Sequence, residues 1–325
     1  MGNVSTSSVP RLTTHIHTSS GAMFRLFYFD LVDHILLLRQ VITHPEMIEK
    51  GDKLEFFIQD YCHRMSNNQM MSKRQQSQLP WQIDWIWHVH RLHPIAYYND
   101  CIKQIPGSYF IDKIVRKLTV DEYQKQNGVT SRKPIHNQAS FIPSFDMMEA
   151  VLRQSDFLEK FVKHNFYSLN LKHMDLISFE QIVENYVSFM KLARKNTMIV
   201  PTFEIDLMWH THMRYPLSYL EFSKALCGFL LDHDDSVASS LLKDAYQDTA
   251  DRWKLTYHSE YGAAVNQNYS RNFLDISRCA SIYKSEERKQ TNRGKSGGCG
   301  GYLGIVDGGS DNDGSSCGSS CGGGD

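Results

Sequence analysis

From Phe24 onward the apolar residues recur at the three-to-four-residue spacing of a helix with one buried face. Leu54, Phe57, Ile58, Tyr61 and Met65 keep that period, and so do Ile182, Tyr186, Phe189, Met190 and Ala193. Met147, Val151, Leu158 and Val162 mark another helix, and a further one is expected from Leu241 to His258. The helix opening Phe145-Asp146-Met147-Met148 has the same pattern as Phe29-Asp30-Leu31-Val32. The expected fold is mainly α, with two tandem duplicated helical units packed as one body.

Both units carry the same motif. Asp84, Trp87, His88, His90, Pro94 and Tyr97 are matched in order and spacing by Asp206, Trp209, His210, His212, Pro216 and Tyr219. Tryptophan and histidine are uncommon, so so many matches at fixed offsets point to a common origin. Pro80 and Pro201 lie just upstream, where proline starts a helix; Pro94 and Pro216 lie where one cannot continue. The motif therefore predicts a short helix, a turn and a second helix beginning at each later proline.

Polar segments set the expected boundaries. Residues 1–22 are rich in Ser and Thr and read as disordered. Residues 23–141 hold the first unit and a loop-rich connector marked by Pro106-Gly107, Asn127-Gly128 and Pro134. The second unit spans 142–265 and a polar linker 266–293. From 294 to 325 the chain is Gly/Ser/Cys-rich, a composition too poor in apolar surface to offset its ordering entropy, and reads as a disordered tail.

A net charge of −1 gives no general attraction to nucleic acid. No apolar run reaches the roughly 18 residues of a membrane span, and no secretory signal is visible, so a cytoplasmic location is expected. Seven cysteines without a Cys-x-x-Cys pair favour neither a disulfide framework nor a zinc ribbon. Met1-Gly2-Asn3-Val4-Ser5-Thr6 fits the N-myristoylation pattern with Gly2 as acceptor. One such chain would give weak, reversible membrane contact and a partly membrane-associated protein.

On a helix, Asp84 and His88 share a face, as do Asp206 and His210. His90 and His212 lie ~200° around from His88 and His210 and leave that face. The leading reading of the motif is structural. An aspartate four residues before a histidine accepts its ring N–H, and the tryptophans anchor the core. The alternative is a divalent-metal site of Asp84, His88, Asp206 and His210, whose carboxylates and imidazoles suit zinc, iron or manganese. Acid/base catalysis ranks third. Phosphate-loop, hydrolase-elbow and dinucleotide patterns are absent, and Leu231-Asp232-His233-Asp234-Asp235-Ser236 reads as a helix end rather than a calcium loop.

These stretches resemble the glycine-rich domain-containing proteins of plants, fungi and animals. Val200–His212, Pro216–Tyr219 and His233-Asp234-Asp235 carry the resemblance, with Ile83–Pro94 and Trp253–Tyr257. It covers about residues 25–265, and the Gly/Cys tail fits the family name. The family has no established catalytic activity; an intracellular interaction or adaptor protein with protein partners is expected, an enzyme is not favoured, and a metal-binding protein or metal-dependent enzyme using the paired Asp/His cluster is the alternative. Some plant members resemble RNA-associated proteins, which makes RNA association through the tail a further alternative. The tail here has one Arg-Gly step and several aspartates, which argues against RNA.

Overall fold

The computed structural model describes residues 8–107, 110–124, 141–262 and 280–282, all within the unit Met1–Ser285. Gly2, Cys299, Cys317, Cys321 and the glycine-rich stretch lie outside the described residues. Thr13–His17 (β1) pairs antiparallel with Met23–Phe27 (β2), so the expected disordered start contains a strand. Its reason is local: Thr14 and Ile16 alternate with polar neighbours and turn inward, a half-buried strand pattern.

The first half then runs through Tyr28–Ile42 (α1), Asp52–Ser66 (α2), Lys73–Ser77 (α3), Trp81–Arg91 (α4), Pro94–Gln104 (α5) and Val120–Gln124 (α6). The second half has Met147–Lys163 (α7), Asn165–Ser168 (α8), Leu176–Lys191 (α9), Met198–Ile199 (β3), Phe203–Met213 (α10), Pro216–Cys227 (α11) and Ser239–Tyr257 (α12). Ser281–Ile282 (β4) pairs with β3. The fold is mainly α, as the periodicity predicts.

Both motif copies form the expected helix, turn and helix. Pro80 caps α4, while Thr202 accepts the Ile205 N–H to start α10. Pro94 and Pro216 occupy the first positions of α5 and α11, where the missing N–H costs nothing. In corresponding fashion α4 packs on α2 and α10 on α9. The halves also exchange contacts: α1 meets both α4 and α10, and α7 packs on α4. This crossing puts α4 and α10 in the middle of the core. Trp81, Trp85, Trp87 and Trp209 are fully buried there, each contributing on the order of 3 kcal/mol or more of apolar burial.

Candidate metal centre

The repeated Trp and Tyr explain how the loops beyond each motif are fixed. Trp87 Nε1 donates to the Tyr97 hydroxyl at 3.0 Å, and that hydroxyl donates to the Ile111 carbonyl at 2.6 Å. Trp209 Nε1 donates to Tyr219 at 2.8 Å, which donates to the Leu231 carbonyl at 2.7 Å. Each pinned carbonyl lies two residues before a side chain that reaches the motif's aspartate. In the first copy that side chain is Lys113, and in the second it is His233. The residues between are also matched. Asp112 accepts the Leu217 N–H of α11 at 3.2 Å, and Asp232 accepts the Ile95 N–H of α5 at 3.3 Å.

Asp84 is enclosed by cations. Arg214 donates to it at 3.0 Å, Lys113 at 3.2 Å and Arg91 at 3.4 Å. Asp33 of α1 joins the same network, 3.0 Å from Arg214 and 3.2 Å from Lys113. Burial favours the neutral acid, but the Lys113 and Arg214 charges outweigh it and hold the Asp84 carboxyl far below its usual range. These cations engage both carboxylate oxygens, and neither His88 nitrogen bonds Asp84.

His88 is thereby left alone. Neither ring nitrogen has a hydrogen-bond partner among the described residues, although the side chain is completely buried. Two other buried imidazoles meet it. The His34 ring centroid is 4.7 Å away and that of His210 5.9 Å. One potential ligand atom from each of the three lies within 4.8 Å of the others. His34 is oriented by Thr211. The Thr211 hydroxyl spends its proton on the Leu207 carbonyl at 2.8 Å, so it must accept from His34 Nδ1–H, also at 2.8 Å. His34 Nε2 then carries a bare lone pair, and it has no partner among the described residues.

His210 joins this group to a second one. Its Nε2 lies 3.2 Å from Asp206 Oδ1 and 2.9 Å from His233 Nε2, and His233 Nε2 lies 3.7 Å from the same carboxylate oxygen. Asp206, His210 and His233 form a second set of donor atoms within 4.8 Å of one another. His210 Nδ1, the ring's other nitrogen, has no partner among the described residues. Phe157 stacks on the His210 ring at 4.4 Å and fixes its plane.

Burial, helped by the Arg214 charge, holds the His34 and His88 rings well below the usual imidazole range, so both are neutral near pH 7. Burial also lowers His210, against the pull of Asp206. His233 is raised despite burial, because Asp206 accepts its proton and supplies negative charge. Burial likewise opposes ionisation of Asp206, but His210 and His233 keep its carboxyl below the ordinary range. His34, His88 and His210 thus present neutral imidazoles beside a charged Asp206 carboxylate, the protonation states a metal requires, while His233 holds a proton more readily than a free imidazole.

Of the four candidate ligands from the sequence, the fold brings His88 to His210 and His210 to Asp206, and assigns Asp84 to the salt-bridge network. His90 and His212 are satisfied on both nitrogens. His90 bonds Tyr61 at 2.7 Å and Asp100 at 3.2 Å; His212 bonds Tyr186 at 3.0 Å and Ser218 at 3.1 Å. Sequence reasoning missed His34, Thr211 and His233. His34 stands beside Asp33 between the apolar runs Leu31-Val32 and Ile35–Leu38, a polar interruption that itself signals a buried partner. His233 does not lie at a helix end. Gly228, in the left-handed conformation at φ 80°, ends α11. Ser223 then takes the Phe229 carbonyl and the Leu231 N–H, turning the chain back so that His233 enters the core.

Residues 113–222 match the model of the glycine-rich domain-containing protein-like family. Two Arabidopsis thaliana proteins are similar over more than half of the chain. Glycine-rich domain-containing protein 1 is 27% identical over 215 residues, which is 57% of this chain and 25% of that protein. Glycine-rich domain-containing protein 2 is 27% identical over 218 residues, 58% of this chain and 27% of that protein. The chain therefore spans about a quarter of the length of these relatives. No solved structure matches it. In the stretch from Lys113 to Phe222, the chain is thus similar to the glycine-rich domain-containing protein-like family.

Proposed function

We propose that this chain is a metal-binding protein whose centre is built on His34, His88 and His210. The observation that carries the reading is the set of buried, neutral imidazoles with bare nitrogens converging within 4.8 Å. A buried polar group without a partner costs about 1–3 kcal/mol, and here several occur together in a tightly packed core. A transition metal accepts those lone pairs; imidazole donors suit zinc, copper, iron and nickel. Three protein ligands leave a tetrahedral ion one further position for water or another donor.

The ligands come from α1, α4 and α10, so the ion acts as an internal staple between the halves of the chain. That role is compatible with an interaction protein, whose surface needs a rigid support. The test is Co(II) titration of the full chain after chelator treatment, read by visible absorption and elemental analysis. The wild-type protein is expected to bind at least one ion tightly, and His88→Gln to bind one fewer. His44→Gln, which alters a histidine outside the centre, should bind as wild type does. Uptake by neither protein, or equal uptake by wild type and His88→Gln, would remove the reading.

A further inference from the structure

We propose that the centre is dinuclear, with a second ion held by Asp206, His210 and His233 and His210 bridging the two. The inference rests on the metal-binding reading above and adds a site to it.

Three observations converge on the second position. First, two imidazole nitrogens, His210 Nε2 and His233 Nε2, approach to 2.9 Å beside a carboxylate oxygen. Two ring nitrogens at that distance repel unless a proton or another cation lies between them. One carboxylate and two imidazoles form a donor set that transition metals accept readily. Second, His210 belongs to both donor sets; it engages this group through Nε2, and its Nδ1 has no partner among the described residues. One ring thus has a nitrogen for each ion.

Third, the first copy of the motif shows what the aspartate at this position holds. Asp84 has the Lys113 ammonium at 3.2 Å and the Arg214 guanidinium at 3.0 Å. The residue matching Lys113 beside Asp206 is His233, which carries no permanent charge. A metal ion on Asp206 and His233 would supply the positive charge that Lys113 supplies beside Asp84. Asp235 adds negative charge on the same side, and its field acts on both His210 and His233. Arg153 and Gln154 anchor that carboxylate at 2.8 and 2.7 Å. Loading both positions turns His210 into an imidazolate. Its ring proton and any extra proton on His233 pass to solvent buffer, while Asp206 remains a carboxylate.

The experiment is metal stoichiometry of the full chain, loaded with Zn(II) after chelator treatment and washed, for wild type, His233→Ala and His233→Lys. The lysine variant copies the Lys113–Asp84 arrangement and supplies its own cation, so it guards against a misfolded alanine variant. Two ions per wild-type chain, falling to one in the folded variants, is the expected result. In a weakly buffered titration, the second equivalent should release protons from wild type only. One ion in wild type and one in His233→Lys overturns the second site and leaves the first standing. Two ions in both also overturns it, because His233 is then no ligand. No ion in wild type overturns the metal reading itself.

Discussion

Asp84 and Asp206 occupy the same place in two copies of one motif, on helices of equal length, and both are buried. Their surroundings differ in kind. Asp84 is neutralised by Lys113 and by Arg214, whose charge the Asp33 and Asp84 carboxylates hold in place, and it makes a fixed salt-bridge network. Asp206 meets His210 and His233, whose charge depends on protons and metals. Lysine against histidine two residues after a pinned carbonyl, together with the Arg214 and Arg91 guanidinium groups on Asp84, sets the two surroundings apart. The same backbone device serves both.

The largest expected effect comes from breaking the locked side. Arg214 bridges Asp33 and Asp84, and its removal leaves two buried carboxylates short of a partner. Arg214→Leu should cost about 3–5 kcal/mol in chemical denaturation. The cost arises because the remaining charges lose compensation, not because the pair itself is strongly stabilising. Replacing His233 with Ala in metal-free protein removes a group that carries its own proton and should cost clearly less. Equal losses in the two variants would show that the contrast between the copies has no energetic content.

A second contrast is between His90 and His212, matched histidines with different partners. His90 donates toward the Asp100 carboxylate, which partly offsets the lowering by burial. His212 has the Ser218 hydroxyl, and burial pushes its pKa down to about 3. The unfolded chain takes up a proton on this residue near pH 6.5. The native chain does not do so until about pH 3. Stability from His212 is therefore complete above pH 6.5 and falls by about 1.4 kcal/mol per pH unit below it. Ser218→Asp, by giving His212 a carboxylate as His90 has, should flatten the decline in denaturation curves recorded from pH 7 to 4. An unchanged slope would show that other groups dominate acid unfolding.

Much of this fold is legible in the chain because its helices are set by local periodicity and by prolines at helix starts. The motif likewise announces Trp87, Tyr97, Trp209 and Tyr219 as packing residues. The centre is less legible, because apart from the Asp206–His210 pair on α10 its members are joined by tertiary contacts. His34 and His210 are 176 positions apart, and His233 reaches Asp206 only because Gly228 and Ser223 reverse the chain. Asp84 shows the opposite limit. Its spacing to His88 suits a hydrogen bond, but Lys113, in a segment that reads as connector, and Arg214, 130 positions away, offer stronger charge-assisted bonds.

The smallest expected effects test whether the shared Trp–Tyr device does the same work in both copies. Tyr97→Phe and Tyr219→Phe each remove a hydroxyl that accepts an indole N–H and donates to a carbonyl. Each leaves a buried tryptophan N–H unmatched and should cost about 1–2 kcal/mol. The two costs should agree closely in thermal and chemical denaturation. Metal binding should then separate them. Releasing the Leu231 carbonyl loosens the segment that carries His233, and such loss of support for a ligand typically weakens metal affinity about 10–100-fold. Releasing the Ile111 carbonyl loosens Lys113, which contacts no candidate ligand. Tyr219→Phe should therefore lower affinity for the second Zn(II) equivalent while Tyr97→Phe leaves it close to wild type. If both variants lose affinity equally, the tyrosines act through general stability and His233 is not positioned by its own loop.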